Sequence, residues 1–343
     1  MIIRLLKLAF FLLIGISFYS CREQKDPEEE IQKVNVKVDI ERLEQKLFAC
    51  KTKESLLNFL TDNKLVAERY FQTPPEGFNE LADKLLLLVN NEGLQAFYKQ
   101  SQLKAFFGNG NLENDFHEAF QHLKYYYPEF KEPKIYTIFS GFGGVGAFPA
   151  THLYVSDSVI VIGLDYFMGK NAKFLPPEVF SYQLRRLNPQ TVVPQAILLL
   201  SANYNATNPN DKTLLSEMVW YGKSYVFGQT MLPSKSDSLF IGYTAEQLNE
   251  SYAFQQDIWA HFIDNKLLYN TQEPIKGKYI GERPATPEIG SRCPGSIGRW
   301  LGYRIVSKYF EEDEKLTIQE LMKNPNAQKI FEASKYKGLP DAE

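Results

Sequence analysis

Only the middle of this chain has the sequence pattern of β-strands. Lys134–Phe139 is rich in β-branched and aromatic residues, and two similar segments, Leu153–Val155 and Val159–Leu164, flank a short turn. Most other segments, from Val38–Phe48 to Thr317–Lys335, carry apolar residues at helical spacing. The pattern therefore predicts a mainly helical α+β fold with a small antiparallel sheet in the middle of the chain.

The chain begins with a short basic head and an apolar run that stops at Cys21. The apolar core, Leu8–Ile16, is much shorter than the roughly 20 residues that a membrane-spanning helix needs. A basic head, a short apolar core and the small Ser20 before the cysteine are typical of a bacterial lipoprotein leader. We therefore expect residues 1–20 to be a signal peptide and Cys21 to carry acyl chains that hold the protein on a membrane. The alternative is an ordinary signal peptide, or an anchor helix, with an incidental cysteine.

The composition after the leader favours one folded domain on a tether. Residues 21–37 are strongly charged, which predicts a disordered tether, and residues 38–343 contain no repeat or linker that would divide them. The net charge is -3, and no dense Lys/Arg patch is interleaved with aromatic residues, so we expect no nucleic-acid partner. Cys50 and Cys293 are too few and too far apart for a disulfide framework, and we expect free thiols.

A glycine-rich stretch, GFGGVG, has the spacing of a dinucleotide-binding loop through Gly141, Gly143 and Gly146. That loop works because a helix N-terminus follows it and holds the pyrophosphate. Here a proline and a further strand segment follow instead. We therefore expect a flexible loop and no nucleotide cofactor.

A second stretch, HEAFQH, is similar to a zinc-binding helix. In such a helix the two histidines stand four residues apart, so that both project from one face onto the metal. His117 and His122 stand five residues apart, which turns them away from each other. We expect a surface helix here, with no metal bound.

Several segments, in this order along the chain, resemble the gliding-motility lipoprotein GldB family. The resemblance implies a membrane-anchored component needed for gliding over surfaces, in a system linked with the secretion apparatus that exports motility adhesins. It brings no catalytic residues with it. The segments are VIGLDYFMG, TLLSEMVWYGKSYVFGQTMLP, GYTAEQLNESYAFQQDIWAHFIDNKLLY, CPGSIGRWLGYRIVSKYF and FEASKYK.

The order of segments is also distantly similar to a zinc-peptidase-like (gluzincin) layout. In that layout a buried helix carries H-E-x-x-H, and a Glu-Gly step further on supplies the third metal ligand. Here the corresponding helix is PQAILLLSANYN, without His or Glu, and Tyr221-Gly222 stands at the Glu-Gly position. The resemblance implies a zincin-like scaffold that has lost its metal, its catalytic residues and its need for a cofactor.

The leading hypothesis is a lipid-anchored, non-enzymatic interaction or assembly protein of the gliding machinery that faces the periplasm. Its expected partners are the membrane, through the N-terminal lipid, and other gliding-motility envelope proteins. The empty cleft of a former hydrolase is still a groove, and its sheet edge can accept an extended segment by strand addition. The candidate binding surface comprises Asp165, Tyr166, Tyr221, Arg299 and Trp300. For each of these residues the alternative is a structural role in a turn or in helix packing.

The alternative function is that of an envelope hydrolase, a peptidase or a glycan hydrolase with an unorthodox site. Such an enzyme would use paired carboxylates for acid and base catalysis. Asp165, Glu217 and Glu250 are the candidates. The absence of the metal-binding helix favours the binding function over this one.

Overall fold

The computed structural model describes residues 27–143 and 151–339. The predicted signal peptide, Cys21 and Gly146 lie outside these residues. None of the helices in the described part is both long and apolar enough to cross a membrane.

The chain divides into two units at Asn35. In the first unit, the part of the predicted tether that is described is not wholly without structure, because Pro27–Ile31 forms a one-turn helix, α1. Proline at the first helical position and three glutamates in the first turn both favour a helix start. The second unit, Val36–Glu343, contains the sheet and the remaining helices.

Residues 43–126 form a first group of helices, as the apolar spacing predicts. Thr52 and Asn91 cap two of them, since each side-chain oxygen accepts a backbone N–H of the first turn. The helix Phe78–Asn90 buries Leu81, Leu85 and Leu88 on one face. The helices are α2 (Leu43–Ala49), α3 (Lys53–Asp62), α4 (Lys64–Arg69), α5 (Phe78–Asn90), α6 (Glu92–Ser101) and α7 (Asn111–Tyr126).

The sheet has four strands in the order β1-β2-β4-β3. These are β1 (Ile40–Arg42), β2 (Lys134–Ile138), β3 (Leu153–Val155) and β4 (Val159–Gly163). Only β3 and β4 pair antiparallel, whereas β1 pairs with β2, and β2 with β4, in parallel. The prediction of an antiparallel sheet is therefore wrong, and the sheet is mixed.

The physical reason lies in the connections. The tight turn between β3 and β4 makes an antiparallel hairpin, and this turn is visible in the sequence. A parallel pair needs a long crossover, and the crossover from β1 to β2 is the whole first helical group. β1 lies in Val38–Phe48, for which the sequence pattern predicts a helix throughout. A three-residue strand is too short to interrupt that helical pattern.

The described residues after the sheet are mainly helical. The helices are α8 (Val192–Ser201), α9 (Leu214–Met231), α10 (Asp237–Ile241), α11 (Ala245–Ala253), α12 (Gln255–Asp264), α13 (Glu273–Ile280), α14 (Ile297–Glu311), α15 (Ile318–Lys323) and α16 (Ala327–Ser334). Short 3-10 turns lie at Pro75–Gly77, Tyr166–Met168, Leu184–Arg186 and Pro189–Thr191.

Helices α9 and α14 cross with their backbones in contact. A Cβ atom on Gly222 would lie 2.3 Å from the carbonyl oxygen of Gly302, and one on Gly302 would lie 1.9 Å from the carbonyl oxygen of Met218. Real Cβ atoms do not approach oxygen so closely, so the crossing requires glycine at both positions. The glycine of the Tyr221-Gly222 step thus has a structural role of its own.

A buried lysine ties α9 to the end of α15. Lys223 is 2% exposed, and its ammonium group donates to the carbonyl oxygens of Ala206 at 2.7 Å, Met322 at 3.2 Å and Asn324 at 2.8 Å. Met322 and Asn324 lie at the C-terminal end of α15, where carbonyls run out of helical donors, and the Met322 carbonyl also accepts the backbone N–H of Ala206 at 2.9 Å. Burial lowers the pKa of Lys223 to about 8.

Candidate functional site

Two parallel strands bring Ser140 and Asp165 together at one edge of the sheet. Each follows two residues after its strand, β2 and β4 respectively, and the carboxyl ends of parallel strands lie side by side. Asp165 Oδ2 accepts the backbone N–H of Phe142 at 2.6 Å and the hydroxyl of Ser140 at 3.2 Å. The Ser140 hydroxyl in turn accepts the backbone N–H of Gly143 at 3.0 Å. Asp165 therefore fixes the beginning of the glycine-rich loop.

The backbone of the glycine-rich loop is strained where Phe142 donates to Asp165. Gly141, Phe142 and Gly143 have φ angles of 62°, 61° and 76°, all in the left-handed region. Glycine adopts this region freely, but a phenylalanine is strained there. The hydrogen bond from Phe142 to Asp165 offsets part of that strain.

The second oxygen of Asp165 has no partner among the described residues. Asp165 is fully buried, and its Oδ1 accepts no hydrogen bond there. The hydroxyl of Tyr70 is also buried and makes no hydrogen bond of good geometry to a described residue, and it lies close to Gly163, where an added Cβ atom would be 2.3 Å from it. Burial raises the pKa of Asp165 to about 6, against the smaller opposite effect of its hydrogen bonds with Phe142 and Ser140.

Tyr166 and His152 line the outer side of this group. The Tyr166 ring lies edge-on to Phe142, with 5.5 Å between centroids, and the His152 ring lies 6.2 Å from it. Burial raises the pKa of Tyr166 and lowers that of His152, so both are neutral at physiological pH. Of the two predicted residues Asp165 and Tyr166, Asp165 has no exposed surface and Tyr166 is half-exposed.

Tyr221 and Arg299 meet at the crossing of α9 and α14. The guanidinium carbon of Arg299 lies 4.3 Å from the centroid of the Tyr221 ring, and its Nε donates to the carbonyl oxygen of Ile280 at 2.7 Å. This is a cation–π contact at a half-exposed position. Trp300 is fully buried instead, with its ring edge-on to Tyr252 at 5.6 Å, so it supports helix packing and adds no surface to the predicted set.

Sequence reasoning missed two further arginines, Arg185 and Arg186. Arg186 Nη1 donates to Glu282 at 2.5 Å, and Arg185 Nη1 donates to the amide oxygen of Gln247 at 2.9 Å. We call Arg185, Arg186 and Arg299 the arginine cluster. The only signal in the sequence is an Arg-Arg pair in the stretch YQLRRLNP, which is too common a pattern to indicate a site.

Contacts at the end of α13 connect Arg186 with Arg299. Arg186 pairs with Glu282, and Arg299 Nε donates to the carbonyl oxygen of Ile280, two residues earlier in the chain. The positive charges of both arginines also oppose the rise in the pKa of Tyr225 that burial causes. Burial lowers the pKa of Arg185, and the adjacent charge of Arg186 lowers it further. The cluster is thus a region of concentrated positive charge beside tyrosine rings.

The three carboxylates proposed for a hydrolase share no partner. Asp165 binds the loop, Glu217 forms an ion pair with Lys276, and Glu250 pairs with Arg292 at 3.0 Å. The hydrogen bonds therefore assign them to three separate sets of contacts. An acid and a base acting on one bond must instead reach the same substrate atoms.

The remaining candidate ligands are also apart. In residues 27–143 and 151–339, no group of three or more His, Cys, Asp or Glu side chains could hold a metal ion. On α7, His117 is exposed, whereas His122 is buried, with Nδ1 2.9 Å from the carbonyl oxygen of Glu118. Cys50 and Cys293 are free thiols.

These features define a mainly helical α+β protein with a small mixed sheet and a polar group at the carboxyl edge of its strands. The sequence profile of the family described as gliding motility protein GldB matches residues 24–338, and the chain belongs to this family. It is thus a gliding-motility protein of a lipoprotein family. No curated protein and no solved structure matches the chain, so the zincin-like layout stays a prediction.

Proposed function

We propose that the protein is a lipid-anchored, non-enzymatic component of the gliding-motility machinery. It acts as an interaction or assembly protein on a metal-free, peptidase-like scaffold that faces the periplasm. Family membership and the leader ending at Cys21 support the anchoring and the process. The observation that carries the non-enzymatic role is that each of the three candidate carboxylates has its own partner and none of these partners is shared.

Each of those carboxylates has a structural partner that accounts for it. Asp165 is fully buried and holds a strained loop, so no substrate reaches it without rearrangement. Glu217 balances the charge of Lys276, whose side chain is only 2% exposed. Glu273 also pairs with this ammonium group, so the two glutamates together compensate a charge that would otherwise be buried alone.

The partner contact belongs at Tyr221 and Arg299 rather than at the sheet. Both edge strands, β1 and β3, are only three residues long and offer few backbone groups for strand addition. A half-exposed arginine stacked on a tyrosine ring is, in contrast, the kind of residue pair that dominates protein interfaces. Within the described residues the Arg299 guanidinium donates through Nε, which leaves its Nη groups to bind a partner's acceptors.

The proposal is tested by complementing a strain that lacks the gene. One variant is Cys21→Ala, which is exported without a lipid. The other combines Asp165→Asn, Glu217→Gln and Glu250→Gln. We expect the first to lose gliding and the second to retain it, with immunoblots showing equal amounts of each protein.

Two results would contradict the proposal. Normal gliding with Cys21→Ala removes the need for a lipid anchor. Loss of gliding with the triple variant, at unchanged abundance and thermal stability, supports the hydrolase instead. In that case the metal content of the purified protein is measured next.

A further inference from the structure

The arginine cluster carries more positive charge than its surroundings neutralise. Within the described part of the chain, Glu282 is the carboxylate that forms an ion pair with the cluster, and it pairs with Arg186. Arg185 is held by the neutral amide of Gln247, and Arg299 by the Ile280 carbonyl and the Tyr221 ring. Two of the three guanidinium groups therefore form no ion pair with a carboxylate of the described residues, although the charge of Glu282 also acts on Arg185.

This arrangement is costly if it serves folding alone. Adjacent guanidinium charges repel each other, and partial burial weakens their hydration. Arg185 Nε is buried and has no acceptor among the described residues, so the fold does not use its full donor capacity.

Two elements present the arginine cluster to a partner. Arg185 and Arg186 lie in the 3-10 turn Leu184–Arg186, and Arg299 lies on α14. All three are half-exposed, and the Arg186 side chain is 23% exposed. The Tyr221 ring supplies a flat aromatic surface beside them. Guanidinium groups held in this way can form paired hydrogen bonds with carboxylates.

We infer that the arginine cluster is a docking site for an acidic peptide segment of a partner protein. The contact between Arg186 and Glu282 already shows the chemistry that Arg185 and Arg299 lack. Two uncompensated charges match two side-chain carboxylates, and Tyr221 suits the apolar or aromatic residues between them. A doubly charged phosphate group is less suited, because Glu282 repels it more strongly. The inference rests on the proposed interaction role and names the chemistry of the partner.

The test uses the full-length lipoprotein in non-ionic detergent micelles. The probe is a peptide, acetyl-GDEYDEG-amide, with an uncharged fluorophore, and fluorescence anisotropy measures its binding. The matched peptide has Asn and Gln in place of Asp and Glu. We expect the acidic peptide to bind at least about tenfold more tightly than its amide counterpart, with affinity falling as salt is added.

Variants assign the binding to the cluster. The double variant Arg185→Gln with Arg299→Gln should bind the acidic peptide about tenfold more weakly or worse, since two charge-assisted contacts are lost. Glu282→Gln should bind it several-fold more tightly, because Arg186 becomes available, and a misfolded protein would not produce this gain. Arg292→Gln, whose arginine is 73% exposed and pairs with Glu250, serves as the control and should bind as the natural protein does.

Three results would overturn the inference. These are equal affinity for the two peptides, no effect of the arginine substitutions, and binding of inorganic phosphate or phosphatidylglycerol vesicles in preference to the acidic peptide. If peptide binding is absent while the triple carboxylate variant still glides, only the docking site is refuted. If the triple variant stops gliding while peptide binding is intact, the docking site stands and the non-enzymatic function fails.

Discussion

The backbone N–H of Phe142 donates to Asp165 at 2.6 Å and thereby joins the glycine-rich loop to the end of β4. Phe142 has a φ angle of 61°, and the fully buried Asp165 accepts with one oxygen while the other has no partner in the described residues. A strained loop residue is thus held by a carboxylate that itself lies in an unfavourable environment.

Asp165→Asn should remove a pH dependence of stability. Burial raises the pKa of Asp165 from 3.8 to about 6, so the folded state keeps a proton that the unfolded state releases within this interval. The stabilisation from that proton is complete below pH 3.8 and is lost as the pH rises through about 6. The total change is up to about 3 kcal/mol in the free energy of unfolding.

Urea unfolding of both proteins at about pH 4 and about pH 7.5 measures this change. The asparagine variant should gain stability relative to the natural protein at the higher pH, because its amide oxygen still accepts from Phe142. An unchanged difference between the two proteins at both pH values would show that Asp165 is not buried as described.

Gly222→Ala should strongly destabilise the protein. The added methyl group would lie 2.3 Å from the Gly302 carbonyl oxygen, and the two helix backbones must separate to admit it. We expect a loss of about 3 kcal/mol or more in the free energy of unfolding. Gly277→Ala, also in a helix but with nothing within 4 Å, is the control and should gain up to about 1 kcal/mol. Equal effects of the two substitutions would contradict the backbone contact.

Lys223→Met should cost about 2–4 kcal/mol of stability, because three carbonyl oxygens lose the ammonium donor, although that of Met322 keeps the backbone N–H of Ala206. Methionine nearly conserves the volume, so the loss reports on hydrogen bonding rather than on a cavity. Lys329→Met, at an exposed position of α16, should change stability by no more than about 0.5 kcal/mol. Hydrogen exchange should also show that α15 opens more often in the Lys223 variant. Thermal unfolding midpoints that coincide for both variants would refute this role.

Trp300→Ala should lower the free energy of unfolding by about 3–5 kcal/mol, since the indole is fully buried. Trp300→Phe should cost less than half as much, because it keeps an aromatic ring against Tyr252 and removes an indole N–H that has no acceptor in the described residues. If Trp300 belonged to a binding surface, both variants would instead keep their stability and lose partner binding.

The sequence predicts the mainly helical α+β class because long apolar stripes dominate the chain. It also predicts the β3–β4 hairpin, whose turn is local. It does not predict the parallel pairing of Ile40 with Ile135, since register between distant strands depends on how the intervening helices pack. Local patterns carry no information about that packing.

For the site, the sequence finds positions but not their surroundings. Asp165 after a strand, and Tyr221 and Arg299 on helices, are recognisable as candidates. Contacts between distant segments decide the rest. They place Phe142 on Asp165, bury Trp300, and bring Arg186 near Arg299 through Glu282 and Ile280. The arginine cluster is therefore absent from the sequence-based set.

The position of β1 has a consequence for how the chain folds. The first helical group separates Ile40–Arg42 from its partner β2 along the chain. Contacts of such large sequence separation form late, because the entropy of closing the loop must be overcome first. Until then the residues of β1 are unpaired and open to other chains, and their small number and charged side chains limit such association.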